Sequence, residues 1–342
     1  MNPSILNAIV DKAAKNKLIH GAVFHVSNMD GQEIAVSATG NFKLDSRFYI
    51  ASINKMISAA ITLRLVKDKR LNFSDKISEL LPEAYWKGIL KINGKDFSGE
   101  ITLQQLLSHT SGLPCYLIDK RADGIKNMDL ILKEEDQSWP LEEVVSEVKK
   151  MKPKFIPGTK NKASYGETNF RLIDEILHQK NGKQIDQLYQ EIFKELGMEQ
   201  TKMMHLCKPE DFQPLYNKDK IIRIDAYAES SKHDVISTAN DLAIFIQAYY
   251  KGMFYPKEKL PELESWNNIF FPFKYGIGIQ QFYIPRILSP FKAIPKMVGH
   301  CGSSGAVAFY IPEKSVTITG TVNQTAKPSL VFQTLIKIVN KL

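Results

Sequence analysis

Apolar and polar positions follow a helical period at the start of the chain and a strand-like period soon after. Met1 to Leu18 places apolar side chains at helical spacing among lysines and predicts an amphipathic helix. The apolar-rich runs Gly21 to Ser27 and Gln32 to Ser37 flank a turn that contains Asp-Gly, a strong hairpin signal. A third short strand is predicted from Arg47 to Ala51, and it leads directly into a helix.

From about residue 61 to residue 264 the pattern is mostly helical. The predicted helices in this part are Leu103–Ser108, Leu141–Met151, Thr168–Gln179, Ile185–Leu196 and Asn240–Tyr250. Most of these helices have Gly, Pro or Asn at one end. Residues 208–234 are polar and irregular, and we expect them to be the most flexible stretch of the chain.

Strand-like patterns return in the C-terminal part. The predicted elements are the strands Tyr275–Phe282, Gly305–Ile311 and Ser315–Val322 and the closing helix Leu330–Val339. Strands near both termini predict an α/β (α+β) fold, with an antiparallel sheet flanked by terminal helices and an inserted all-helical lobe. We predict a sheet lobe of residues 1–60 and 265–342, a mostly helical lobe of residues 61–264, and an active site in the cleft between them.

Composition and charge exclude several classes of protein. The chain has 342 residues, 44% of them hydrophobic and 24% charged, which is enough to bury a large core. It has no apolar run long enough to span a membrane, and its N-terminal helix lacks the apolar core of a signal peptide. We therefore expect a cytoplasmic protein without a membrane partner, unless a leader has been removed. The net charge of +8 is dispersed among acidic residues, so no nucleic-acid partner is expected.

The three cysteines do not indicate disulfides or a metal site. Cys115, Cys207 and Cys301 form an odd set without a Cys-x-x-Cys pair, which argues against a disulfide framework. His205 lies near Cys207 and His300 precedes Cys301, but neither pair has the spacing of a zinc site.

Candidate chemistry begins at Ser52, where an apolar run ends and a helix starts. Lys55 follows three residues later, and residues at that spacing share a helix face. A desolvated lysine amine beside a serine hydroxyl can activate the hydroxyl as a nucleophile. Ser52 and Lys55 are therefore candidate catalytic residues.

The same Ser-x-x-Lys spacing occurs at two other places, where the context is less favourable. Ser146 and Lys149 lie among charged residues within a predicted helix. Ser289 and Lys292 include Pro290, and proline disfavours a helical conformation of the residue before it.

Two downstream segments fit a serine nucleophile. Tyr165 stands at a helix start, where a phenol can accept and donate the protons of the reaction; alternatively, it simply packs there. Gly299 to Gly305 includes His300, Gly302 and Ser303, and its small residues allow close approach to a substrate. A backbone N–H in this segment can stabilise an oxyanion. The alternative is a simple hairpin turn, and a lone histidine such as His300 is more often structural.

Together these segments resemble the serine β-lactamase and penicillin-binding-protein superfamily, in its branch of class C β-lactamases, DD-peptidases, D-aminopeptidases and esterases. The family pattern is Ser-x-x-Lys, then Tyr-x-Asn, then Lys-Thr-Gly or His-x-Gly. Ser52-Ile-Asn-Lys55, Tyr165-Gly-Glu167 and His300-Cys-Gly302 follow that order. The segment Ser108-His-Thr-Ser-Gly-Leu-Pro114 is also similar to a family motif.

The resemblance implies a β-lactamase/transpeptidase-like fold and a division of roles. Ser52 would attack a carbonyl and carry the acyl group, with Lys55 and Tyr165 sharing the proton transfers. The backbone N–H groups of Ser52 and Ser303 would form the oxyanion hole, and Gly302 would border the substrate. The family needs no metal or organic cofactor. The expected partner is a small-molecule or peptide substrate, and the sequence does not indicate an oligomeric state.

Two residues depart from the family pattern. Glu167 stands where asparagine is usual, and an ionised carboxylate only accepts hydrogen bonds. It either pairs with Lys55 and leaves Tyr165 as the base, or binds a substrate N–H or ammonium group, or faces solvent at its helix start. His300 replaces a lysine that holds substrate carboxylates in β-lactamases, and histidine is a weaker anchor for that group.

These features favour an acyl-enzyme serine hydrolase that cleaves a small ester, amide or peptide. Within enzymes, the alternative is a DD-peptidase, penicillin-binding protein or β-lactamase. A catalytically inactive binding protein of the same fold is a further alternative, supported only by Glu167.

Overall fold

The computed structural model describes residues 1–288 and 293–342. Its helices are α1 Pro3–Ala14, α2 Asn54–Lys67, α3 Ile77–Leu80, α4 Glu83–Trp86, α5 Leu103–Leu107, α6 Asn127–Leu132, α7 Leu141–Val148, α8 Glu167–Asn181, α9 Ile185–Leu196, α10 Asp225–Ser231, α11 Ala239–Tyr250 and α12 Ser329–Val339. Its strands are β1 Gly21–Asn28, β2 Glu33–Gly40, β3 Phe48–Tyr49, β4 Lys91–Ile92, β5 Lys95–Asp96, β6 Lys202–Met203, β7 Leu215–Asn217, β8 Lys220–Ile222, β9 Val235–Ser237, β10 Asn267–Phe270, β11 Phe273–Tyr275, β12 Gln280–Phe282, β13 Met297–Cys301, β14 Ala306–Ile311 and β15 Val316–Thr321.

Eight strands form one antiparallel sheet in the order β10-β11-β12-β13-β14-β15-β1-β2. Strands from the two ends of the chain meet inside it, because β1 pairs with β15. Successive side chains of a strand point to opposite faces, so both faces of this sheet can be apolar. On β14, Ala306 and Ala308 enter one buried cluster, whereas Val307 and Phe309 enter another. The predicted antiparallel sheet is confirmed.

The terminal helices cover one face of the sheet. We call the apolar cluster on this face the outer cluster; it includes Leu6, Val10, Phe24, Leu335 and Ile338. The opposite face packs against α11 and the helical part of the chain, and Thr319 Oγ1 donates to the Ala239 carbonyl at 2.6 Å. The larger apolar cluster on that side, which we call the inner cluster, contains Ala51, Ile53 and the buried face of α2. Ser52 therefore adjoins the inner cluster rather than the outer one.

A second, small sheet positions the residues before Ser52. It has the order β3-β9-β6, and Phe48 and Tyr49 pair with Ser237 and Ile236. The predicted third strand is thus present, although it is shorter than expected and lies outside the large sheet.

Residues 208–234 are more regular than the sequence indicated. They form the hairpin β7–β8 and the helix α10, and Ile222, Ile224 and Tyr227 are buried. The prediction of an irregular stretch is wrong because strands of three residues are too short to show a period.

The C-terminal strands also differ from the prediction. The expected strand Tyr275–Phe282 is two strands, because the chain turns between them and Gly276 N–H donates to the Ile279 carbonyl at 2.8 Å. Gly278 has φ +72°, a conformation that favours glycine. Strands β10 and β13 were not predicted, and His300 lies within β13 rather than in the turn that follows.

The predicted lobe boundaries at residues 60/61 and 264/265 stay a prediction. The Ser289/Lys292 pair lies outside the described residues. Within the described residues, no helix is both long enough and apolar enough to span a membrane.

Candidate active site

Ser52 lies where β3 turns into α2. Residues 51–53 form a 3-10 turn that continues into the helix, and Ala51 has φ +48°. That left-handed conformation is unfavourable for a residue with a Cβ, and such strain is concentrated at functional sites. The turn is fixed on one side by Ile50, whose N–H donates to the Val235 carbonyl at 3.1 Å.

Lys55 lies one helical turn after Ser52 and is 1% exposed. Its Nζ donates to Ser52 Oγ at 3.2 Å and to Glu167 Oε2 at 2.5 Å. The same nitrogen lies 5.6 Å from the centre of the Tyr165 ring. The structure therefore brings the Ser, Lys and Tyr of the sequence motifs together.

Glu167 is the first residue of α8 and is only 7% exposed, so it does not face solvent. Burial alone would raise the pKa of its carboxyl, but the positive charges of Lys55 and His233 outweigh burial and hold the pKa below its usual value. Glu167 is consequently ionised at neutral pH. The expected pairing with Lys55 is therefore present and the solvent-facing position is not, whereas a contact of Glu167 with substrate stays a prediction.

Tyr165 precedes α8 and is partly exposed. Loss of solvation raises the pKa of its hydroxyl well above the usual value, and the negative charge of Glu167 raises it further. The Ser52 side chain, as a hydrogen-bond partner, offsets part of this increase. Tyr165 is therefore a neutral phenol at neutral pH, rather than the resting phenolate that a direct role as base would require.

A buried charge network extends from Glu167 into the protein. His233 Nε2 lies 3.6 Å from Glu167 Oε1, and His233 Nδ1 donates to Asp174 Oδ2 at 2.7 Å. Burial opposes the charged form of His233, but Asp174, Asp234 and Glu167 raise its pKa above the usual value. Asp174 also accepts from Ser58 Oγ at 2.5 Å. The network thus links the candidate catalytic lysine to a second acid–base pair.

Asp234 follows His233 and is also buried. It accepts hydrogen bonds from the Tyr49 hydroxyl and, at 2.5 Å, from Ser231 Oγ. Both carboxylate oxygens are thereby occupied. Because Tyr49 belongs to β3, this contact ties the network to the strand that leads into Ser52.

His109, in the Ser-His-Thr-Ser-Gly segment, has a structural position. Burial lowers the pKa of its ring well below the usual value, and the charge of Lys55 lowers it further. The neutral ring packs against Tyr165 with centroids 4.5 Å apart, and its Nδ1 accepts from Gly166 N–H at 3.3 Å. His109 therefore fixes the tyrosine and the start of α8.

His300 is fully buried in β13 and does not line the cavity beside Ser52. Its Nδ1 donates to the Cys301 carbonyl at 2.7 Å, and its Nε2 accepts from the Tyr275 hydroxyl at 3.1 Å. Burial, aided by the charge of Lys55, lowers the pKa of the ring to about 3. A direct contact of this neutral side chain with substrate stays a prediction.

The turn between β13 and β14 packs closely against the Ser52 turn. A Cβ on Gly302 would lie 2.3 Å from the Ile50 carbonyl oxygen, so this position requires glycine. Ser304 Oγ donates to the Tyr49 carbonyl at 2.6 Å. Ser303 is exposed between them and lines the same cavity as Ser52. The predicted oxyanion-hole residues therefore border one cavity.

That cavity has a volume of about 290 Å³. Its polar lining includes Ser52, Lys55, Glu167, His233 and Asp234. The rest is largely apolar and comes from the segment around α6 and from the β7–β8 hairpin. The site thus combines a candidate nucleophile and charged groups with a largely apolar wall.

Sequence reasoning missed the inner part of the network. Asp174 lies seven residues after Glu167 in α8, a spacing that places both on one helix face and offered a usable signal. His233 and Asp234 lie in the stretch predicted to be irregular, where no periodic pattern marks them. The other described Ser-x-x-Lys pair is no site, because Lys149 Nζ donates to the Ala84 carbonyl at 3.2 Å. No group of three or more His, Cys, Asp or Glu side chains in the described parts of the chain could hold a metal ion.

A family model described as Beta-lactamase matches residues 6–338. The chain belongs to the beta-lactamase family. The superfamily that the three motifs indicated is therefore confirmed, and so is the fold class.

Similar proteins are found among curated sequences and solved structures. D-alanyl-D-alanine-carboxypeptidase/endopeptidase AmpH of Escherichia coli (strain K12) is 26% identical over 219 residues, which are 63% of this chain and 52% of AmpH. The chain thus spans about half the length of this curated relative. A D-stereospecific amidohydrolase from Streptomyces sp. superposes with a TM-score of 0.78 at 22% identity, covering 97% of this chain and 98% of that one. D-amino acid amidase from Ochrobactrum anthropi SV3 gives a TM-score of 0.77 at 19% identity, covering 98% and 100% of the two chains.

Proposed function

We propose that the protein is a serine hydrolase that forms an acyl-enzyme on Ser52 and cleaves a small ester, amide or peptide. The observation that carries this proposal is the hydrogen bond of 3.2 Å between Lys55 Nζ and Ser52 Oγ, at the wall of a cavity. A lysine buried beside a serine hydroxyl is the arrangement that nucleophilic catalysis needs. Membership of the beta-lactamase family supports the same chemistry.

The proton transfers follow from the charges in the site. As Ser52 Oγ attacks the substrate carbonyl, its proton passes to Lys55 while Lys55 transfers a proton to Glu167. Neutral Tyr165 donates its proton to the leaving group and recovers one from the Lys55–Glu167 pair. Water then attacks the acyl carbonyl as one of its protons passes to the same groups. These groups return a proton to Ser52 Oγ as its bond to the acyl group breaks, which releases the acid and restores Ser52. The backbone N–H groups of Ser52 and Ser303 stabilise the negative oxygen in both steps.

The charges favour substrates without a carboxylate. Among the described residues that line the cavity, Lys55 and His233 are the side chains that can be positively charged, and each already faces a carboxylate, at 2.5 Å and 2.7 Å respectively. His300 is neutral and buried. A penicillin or a D-Ala-D-Ala peptide would therefore bring its carboxylate to a lining whose described residues offer no free cation. This supports the hypothesis of an esterase or amidase over that of a β-lactamase or DD-peptidase.

The first experiment is the intact mass of the protein after exposure to a fluorophosphonate, with Ser52→Ala as the matched control. We expect one adduct on the wild type and none on the variant. Amides of D-amino acids, suggested by the Streptomyces and Ochrobactrum proteins, then come first in a substrate screen beside esters and benzylpenicillin. An unlabelled wild type would contradict the proposal and favour a binding protein that retains the fold.

A further inference from the structure

One wall of the cavity beside Ser52 is apolar and lies outside the motifs that carry the chemistry. Helix α6 and the β7–β8 region contribute Met128, Ile131, Leu132, Leu215, Ile222 and Ile224. Ile131, Leu215, Ile222 and Ile224 are at least 94% buried, since they are 4–6% exposed. The wall is therefore part of the packed structure and not a loose surface groove.

The size of the cavity limits what can occupy it. An apolar cavity of roughly 150 Å³ accepts one benzene molecule. The present cavity, at about 290 Å³, is nearly twice that size. It therefore has room for more than one ring-sized group, such as a straight chain of roughly six to eight carbons or a two-ring aromatic.

The covalent step decides which part of a substrate belongs there. The leaving group must depart before water attacks, whereas the acyl group remains on Ser52 through both half-reactions. An enclosing apolar wall is thus better suited to hold the acyl group, which stays on Ser52, than the leaving group. Burial of each methylene against such a wall adds favourable transfer free energy, and it does so in the transition state as well.

We propose that this cavity is an acyl-group pocket, so that the enzyme prefers neutral esters or amides with a bulky apolar acyl part. The inference rests on the proposed serine hydrolase function and adds the substrate class. Acetyl groups would leave most of the pocket unfilled. Hexanoyl, octanoyl or naphthoyl groups would contact α6 and the β7–β8 hairpin.

The test uses p-nitrophenyl esters with one leaving group and acyl parts from acetyl to octanoyl. We expect kcat/KM to rise at least about tenfold from acetyl to octanoyl, because methylenes in an apolar pocket discriminate at that level. A second series keeps the acetyl group and enlarges the alcohol. A flat acyl series, or a stronger response to the alcohol, would overturn the assignment of the pocket.

A substitution at Met128 tests whether the preference for long acyl groups arises at the α6 wall of the cavity. Met128 is partly buried and lines the cavity, so Met128→Trp should reduce kcat/KM for octanoyl at least about tenfold and for acetyl less than about threefold. Asp129→Trp is the matched control, because Asp129 is the next residue of α6, is exposed and does not line the cavity. Equal losses for both esters in Met128→Trp, with an unchanged far-UV spectrum, would argue against the pocket.

The experiments distinguish a wrong assignment of the acyl-group pocket from a wrong proposal of serine hydrolase activity. If fluorophosphonate labels Ser52 but the acyl series is flat, only the pocket assignment fails. If Ser52 is unlabelled, calorimetry of octanamide and acetamide with Ser52→Ala still tests the pocket, since binding needs no nucleophile. Tighter binding of octanamide, abolished by adding Met128→Trp, would support the pocket alone; equal binding would reject it.

Discussion

At the scale of single residues, Glu167 gives this site its distinctive charge. An asparagine at this position would leave Lys55 without a buried anion at 2.5 Å. With glutamate, the candidate base is held in an ion pair, and the same carboxylate raises the pKa of Tyr165. The acid therefore affects both groups to which the proposed reaction assigns the proton transfers.

Glu167→Gln should destabilise the protein at pH 7 by about 3–5 kcal/mol, because removal of one partner leaves a buried charge uncompensated. The pKa of Glu167 is lowered in the folded protein, so its stabilising contribution is present above the unfolded pKa and is lost as the pH falls through the folded pKa. Urea unfolding at pH 7 measures the effect. Glu191→Gln is the control, since Glu191 pairs with Lys183 on the surface and its loss should leave stability nearly unchanged. Equal effects of the two variants would contradict this account.

Gly302 and Ser303 lie in one turn, and substitutions there distinguish the effect of backbone position from that of the Ser303 hydroxyl on the reactivity of Ser52. Gly302→Ala should slow fluorophosphonate labelling of Ser52 at least about tenfold, since its Cβ would force apart the two turns that carry the proposed oxyanion donors. Ser303→Ala keeps its backbone N–H and should change the labelling rate by less than about threefold. A comparable loss in Ser303→Ala would show that its hydroxyl, not its N–H, is needed.

At the scale of elements, the sequence predicted those with a clear period or a strong end signal. Helix α9 has the predicted bounds, and α8 ends at Asn181, before Gly182, which has φ +66°. The hairpin β1–β2 followed from Asp-Gly. Short elements were missed, because β7, β8 and β12 have only three residues each, which is too few to show a period.

In the candidate site, too, residues with a clear sequence signal were predicted and residues without one were missed. Ser52, Lys55 and Tyr165 were identified because each lies in a motif with a chemical reason for its spacing. The ion pair of Lys55 with Glu167 was one of several possibilities, and only the fold selects among them. His233 could not be found at all, because it reaches Glu167 and Asp174 from a segment 59 residues after Asp174.

His233 joins the segment before β9 to helix α8, and its pH dependence tests that link. Its pKa is raised from 6.5, so the stabilising contribution is complete below about pH 6.5 and is lost as the pH rises through the folded pKa. The free energy of unfolding of the wild type should therefore decrease above pH 6.5, and His233→Gln should lack this component. Urea unfolding from pH 6 to pH 9 measures both.

The control for that experiment lies on the same helix. His178 is a partly exposed residue near the end of α8, hydrogen-bonded to the Lys183 carbonyl at 3.0 Å. His178→Gln should retain the pH dependence of the wild type. If His233→Gln retained it too, the titrating group would be elsewhere, and the network would not govern stability in this range.

At the scale of the whole molecule, two apolar clusters lie on opposite faces of one sheet, and only one of them adjoins the candidate active site. The outer cluster, under the terminal helices, contains no residue of the site. The inner cluster includes Ala51 and Ile53, the immediate neighbours of Ser52. A loss of packing in the outer cluster should therefore lower stability while leaving the geometry around Ser52 intact.

Leu335→Ala tests this separation. Leu335 is 0% exposed in α12, and truncation of a buried leucine to alanine costs about 2–5 kcal/mol through lost transfer free energy and the cavity left behind. We expect the midpoint of urea unfolding to fall accordingly. In the folded protein at 25 °C, the rate of fluorophosphonate labelling should remain within about threefold of the wild type, because the strands between the cluster and Ser52 keep their hydrogen bonds. A tenfold slower rate under conditions where the variant is fully folded would mean that the sheet transmits the change, and that the terminal helices help to hold the nucleophile in position.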